Sequence, residues 1–102
     1  MKKHYNLHYP AWQIVLVVLY RMMIDPNKKI YVNKLARKVN KVLDSMYKYI
    51  NSLEDKGFIS SKKESKYRYI TLTAQGTIIA QALNTVITQD VVERYREGEY
   101  FG

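Results

Sequence analysis

The stretch 31–59, YVNKLARKVNKVLDSMYKYINSLEDKGFI, limits what this chain can fold into more than any other. It holds two short apolar runs at helical spacing, parted only by Asn40 and Lys41. In the first run Leu35, Ala36 and Val39 share one face. Asn33 stands before them as the expected N-cap, because its side-chain oxygen accepts a free backbone N–H. In the second run Val42, Met46, Ile50 and Leu53 recur at i, i+4, i+8 and i+11, which lays one stripe against a core. Gly57 ends that helix, since glycine occupies the left-handed C′ position at least strain. Phe58 and Ile59 then begin a strand. Two amphipathic helices joined so tightly form a helix–turn–helix.

Opposite the stripe lie Leu43, Asp44, Ser45, Tyr47, Lys48 and Asn51. Side chains of these types reach base edges and phosphates when a second helix enters a major groove. The plain alternative is a solvated helix face. Charge distribution bears on the choice. The chain has 102 residues and a net charge of +8. Twelve Lys or Arg fall within 28–68 against four acids, an excess equal to the whole net charge. The helix–turn–helix and the segment after it therefore carry a basic footprint of the kind that meets a polyanion. Apolar residues make up 47% of the chain, enough for one globular domain. The absence of cysteine excludes a disulfide framework and thiolate metal sites.

Around this centre, 11–23 (AWQIVLVVLYRMM) reads as a buried first helix with Pro10 at its start. A membrane span needs about 20 apolar residues, and Gln13 and Arg21 interrupt this run. Lys2 and Lys3 mimic a signal peptide, yet no small-residue cleavage site comes after them. An intracellular, cytoplasmic protein with no membrane partner is expected. Residues 1–8 are polar and read as loosely held, and Asp25-Pro26-Asn27 reads as a turn. Ile30, Tyr31 and Val32 suit a short strand closing a small sheet.

Two further strands, 58–63 and 66–72, flank Glu64-Ser65. Ile70 and Leu72 share one face, while Tyr67, Tyr69 and Thr71 share the other. Lys62, Lys63, Lys66 and Arg68 are expected at the hairpin tip. Such a basic hairpin beside a helix–turn–helix suits a wing that lies along phosphates or dips into a minor groove. Edge lysines also solubilise a hairpin, which is the plainer reading. Thr73 then caps a last helix over 74–97. Its broad apolar band includes Ile79, Leu83, Val86, Ile87, Val91 and Tyr95. A domain this small has little core left to cover so much helix. The spare surface is expected to meet a second copy.

The residues Leu35-Ala36, Leu53-Glu54-Asp55-Lys56-Gly57-Phe58-Ile59 and Leu72-Thr73-Ala74-Gln75-Gly76 occur in the order and spacing of the winged-helix transcription regulators. Over residues 9–95 the chain resembles the small MarR-like and PadR-like proteins, including compact ones from archaea and their viruses. The resemblance implies an α+β, mostly α, winged helix–turn–helix. Residues 9–72 form its helices and wing, and 73–97 a long C-terminal dimerisation helix. It is shorter than full-length MarR proteins, with fewer helices for a dimer domain.

Catalysis finds no support. His4 and His8 sit i, i+4 but have no third ligand nearby. There is no Gly-rich phosphate loop and no nucleophile–His–acid set. No cofactor, no metal and no enzymatic activity are expected. The expected function is sequence-specific binding of double-stranded DNA by a homodimer. The DNA-contacting residues would be Lys34, Lys41, Asp44, Ser45, Tyr47, Lys48 and Asn51, with Lys62, Lys63, Lys66 and Arg68 of the wing. An architectural DNA-binding protein without sequence choice, or a winged-helix adaptor that binds protein, are the alternatives.

Overall fold

A computed structural model describes residues 9–25 and 28–98. His4, His8 and the Pro26-Asn27 part of the expected turn lie outside the described residues. The first helix, α1 (Ala11–Met22), starts after Pro10, whose carbonyl accepts the N–H of Gln13 at 2.9 Å. Every residue from Ile14 through Leu19 is buried. A helix apolar all round must sit inside the domain, and α1 touches all four later helices.

β1 (Ile30–Tyr31) leads directly into α2 (Val32–Val39). The expected N-cap, Asn33, lies inside the helix, and Tyr31 holds the cap position without a side-chain bond. The reason is packing: Val32 is fully buried, so the first turn begins where the chain leaves the sheet. α2 ends at Asn40, which takes the left-handed conformation (φ 58°, ψ 46°) that Asn tolerates among non-glycine residues. The N–H of Lys41 bonds to the Ala36 carbonyl and that of Asn40 to the Arg37 carbonyl, which closes a Schellman motif. α3 (Leu43–Asp55) comes next and ends in the same way at Gly57 (φ +79°), with Phe58 N–H on the Leu53 carbonyl.

β2 (Ile59–Glu64) and β3 (Tyr67–Leu72) form the hairpin, and β1 adds to the other edge of β3. All pairing is antiparallel, with Ser61 opposite Ile70, Lys63 opposite Arg68 and Ile30 opposite Ile70 on the far side. Ser65 and Lys66 make a two-residue turn, with Ser65 in the left-handed region (φ 57°). The expected alternation holds, with Ile59 and Ile70 buried on one face.

The last helix departs from expectation. In place of one helix over 74–97 there are two, α4 (Ala74–Val86) and α5 (Gln89–Arg96). Ile87 is extended (φ −91°, ψ 104°), and Thr88 restarts the helix as an N-cap accepting the Val91 N–H. Two forces favour the break. Ile87 drops fully into the core. Arg21 of α1 then braces the corner, donating to the Ile87 carbonyl and Asn84 Oδ1 at 2.7 Å and to Gln89 Oε1 at 3.1 Å.

Gly76 explains why the start of α4 reads LTAQG. A Cβ there would lie 1.7 Å from the Phe58 carbonyl oxygen, so only glycine lets α4 approach. Thr73 ties the same point: its N–H bonds to the Phe58 carbonyl, its hydroxyl donates to the Gly57 carbonyl, and it accepts the Gly76 N–H.

Candidate nucleic-acid interface

α3 buries Met46, Ile50 and Leu53 completely, as the stripe requires. Val42, expected on that stripe, does not join it. It is 69% exposed and stands outside the helix as the N-cap, in extended conformation. Its carbonyl still accepts the Met46 N–H at 3.1 Å, as an N-cap's does, but its side chain stays in solvent. No side chain caps α3; Asp44 sits in its first turn, where a carboxylate favours the helix dipole.

The outer face of α3 presents Leu43, Asp44, Lys48 and Asn51 to solvent, with Ser45 and Tyr47 half-buried. Tyr47 leans partly on the core. Leu43, Tyr47 and Asn51 succeed one another at i, i+4 and i+8, hence on one line along the helix.

In the wing, Lys62, Lys63 and Lys66 are exposed. Lys62 lies on the outer face opposite Tyr69, and Lys63 on the inner face opposite Arg68. Tyr31, Tyr67 and Tyr69 pack on that outer face, with ring centroids 5.5 and 5.9 Å apart. Glu64 pairs with Lys29 at 3.2 Å, and its carboxylate holds that ammonium above its ordinary pKa.

Two expected DNA contacts are otherwise engaged. Arg68 stands level with Lys63 in the wing but turns to the inner face. Its guanidinium donates to Ser61 Oγ at 2.8 Å, and Ser61 in turn donates to Glu54 of α3 at 2.6 Å. The cross-strand register sends Arg68 inward beside Ile70, where this chain of bonds joins the wing to the end of α3. Lys41 points to α5: its Nζ lies 3.3 Å from the Tyr95 carbonyl and 4.5 Å from the Tyr95 ring centroid. A cation at a helix C-terminus meets the negative end of the dipole. Asn40 adds a bond to the Arg96 carbonyl at 3.2 Å. Lys34 is half-buried in the wall of an open cleft of about 780 Å³ between α1, α2 and α5, with Arg37 and Lys38.

Of the residues expected at a dimer contact, Ile87 and Tyr95 are buried in their own domain. Both are core residues, drawn in by the break between α4 and α5, and offer no surface to a second copy. Ile79, Leu83 and Val91 pack partly against the core. Val86 is 53% exposed, and Ile78, at 65%, extends the same apolar surface. Sequence reasoning missed Val42 as an exposed residue and the Glu54–Ser61–Arg68 bridge. The signal for the first was the Asn40-Lys41 turn itself; the second depends on strand register, which the sequence leaves open.

Among the described residues no group of three His, Cys, Asp or Glu could hold a metal ion. No described helix is long and apolar enough to cross a membrane.

No protein-family model matches the chain and no curated protein matches it in sequence. Solved structures do match. AF1382 from Archaeoglobus fulgidus superposes with a TM-score of 0.71 at 22% identity, over 86% of this chain and 94% of that one. SSV1 F-93 gives 0.63 at 28% identity, over 87% and 92%. The complex of MepR from S. aureus with DNA gives 0.67 at 17% identity, over 95% and 68%. The chain has the winged helix–turn–helix fold and resembles the MarR-like regulators in structure.

Proposed function

We propose that this protein is a transcription regulator that binds double-stranded DNA as a homodimer and reads base sequence. α3 enters the major groove with Asp44, Ser45, Tyr47, Lys48 and Asn51, and the wing sets Lys62, Lys63 and Lys66 on the backbone or in the minor groove. The observation that carries this reading is the solvent face of α3. It presents Asp44, Lys48 and Asn51 to solvent, and it lies within the segment that holds all of the net positive charge. The likeness to MepR, a transcription regulator solved bound to DNA, supports the same reading. Ile78 and Val86 with half-buried Ile79 and Leu83 make α4 the contact between copies.

Selection of bound sequences from a random duplex pool tests the proposal. A preferred site with two related halves is expected. Asn51 forms a bidentate pair with adenine, so Asn51→Ala should lose about 1–3 kcal/mol on that site and much less on random duplex. Equal loss on both, or a pool that yields no preferred sequence, would favour an architectural protein.

A further inference from the structure

Val42 is a poor residue for the place it holds. It is 69% exposed, so it adds nothing to the core. It sits at the N-cap of α3, where valine is among the least favoured residues and forms no capping bond. Its neighbour Leu43, the first helical residue, is also exposed at 37%. Two adjacent large apolar side chains thus stand in water at the N-terminal end of the helix proposed to enter the major groove. The surface around them is polar, with exposed Asp44 beside Leu43. Lys48 and Asn51 come later on the same helix, and the domain's positive charge is concentrated in this segment. A polyanion with apolar groups on its groove floor fits such a surface. In duplex DNA the one such group is the thymine C5-methyl, which is read by apolar contact.

We infer that Val42 and Leu43 read thymine methyl groups, so that the duplex this protein prefers carries thymines beneath the N-terminus of α3. The inference rests on the proposed entry of α3 into the major groove. Leu43 and Asn51 lie on one line of the helix, about 12 Å apart along its axis. That distance spans three to four base-pair steps at about 3.4 Å each. Asn51 pairing with adenine at one end and the apolar pair on thymines at the other define a recognition frame rich in A·T pairs.

The test uses the full chain and the preferred duplex from the random pool. Thymines are replaced one at a time by deoxyuridine, which removes the methyl and keeps every hydrogen-bonding group and phosphate. At the positions under Val42 and Leu43, affinity should fall about fourfold per methyl, the factor expected for burying one such group. Val42→Ser and Leu43→Ser should bind the thymine and deoxyuridine duplexes alike. Val42→Ser installs a favoured N-cap, so its melting temperature should hold or rise, which separates lost recognition from lost folding. If the pool yields a preferred sequence yet every thymine tolerates loss of its methyl, the inference fails while base reading stands. If the pool yields no preference, base reading falls and the inference with it.

Discussion

Arg68 makes the sharpest case for reading roles from geometry over charge. Its position in the wing would assign it to phosphate, whereas its guanidinium is held by Ser61, which is held by Glu54. Arg68→Ala removes one charge-assisted bond and leaves Ser61 and Glu54 a shorter chain. Hydrogen bonds to charged groups are worth about 1.5–3 kcal/mol when sheltered. These are only partly buried, so about 1 kcal/mol of stability is expected to be lost. For a domain of roughly this size that lowers the melting temperature by about 4–8 °C. The effect on DNA differs in kind from that of a phosphate contact. Lys62→Ala should reduce the slope of log K against log salt by about 0.9, the signature of one lost contact. Arg68→Ala should weaken binding by loosening the wing and leave the slope unchanged. Fluorescence anisotropy at several salt concentrations reads both quantities. A slope that drops for Arg68→Ala as it does for Lys62→Ala would refute the assignment and return Arg68 to the backbone.

The remaining predictions test the joints of the fold. Gly76→Ala places a methyl 1.7 Å from the Phe58 carbonyl oxygen; α4 must shift, and urea unfolding should show a loss of about 1–3 kcal/mol or more. Ile78→Glu should yield a folded monomer by sedimentation, because Ile78 is exposed, whereas Ile87→Glu buries an unpaired charge and should unfold the domain. Burial raises the Tyr95 phenol above its ordinary pKa of 10.0, with Tyr49 adding to the shift. The neutral form is therefore favoured in the fold, its contribution is complete below about pH 10, and stability should fall as pH rises beyond that. Tyr95→Phe should flatten this alkaline loss in melting curves; an unchanged loss would place its cause elsewhere.

Most of the architecture is legible because its signals are local. Gly57, Thr73 and the Met46, Ile50 and Leu53 part of the α3 stripe each state a requirement within a few residues and are met as read, while Val42 at the head of that stripe is not. Asn33 and Val42 are misread locally, at the two helix starts; the other failures occur where a distant residue decides. The break at Ile87 depends on Arg21, 66 positions away, which satisfies the carbonyl that the broken helix frees. Helical periodicity continues across 74–97, so sequence spacing alone favours one helix. Lys41 and Arg68 read as free charges because both lie in a basic segment. Their partners, the last carbonyls of α5 and the Ser61 hydroxyl, come near only after the chain folds. Charge excess locates a surface; it does not say which cations remain on it.

The junction at Gly57 and Phe58 bears on how a dimer would meet DNA. The end of α3, the start of the wing and the start of α4 meet there, joined by three bonds through Thr73 and by the close contact of Gly76 with Phe58. Trp12 of α1 packs on Phe58 with ring centroids 5.7 Å apart, and Lys56 lies 5.0 Å from the Trp12 ring centroid. At its other end the helix–turn–helix is held by Asn40 and Lys41 to the last carbonyls of α5. α3 is thus fixed from both ends to the helices that come after the wing. In a dimer formed through α4, the separation of the two recognition helices is set by this junction and not by a flexible linker. Half-site spacing should then be narrowly defined, because a change of one base pair moves a half-site about 3.4 Å along the duplex. That is further than packed side chains at such a junction can give without losing contact.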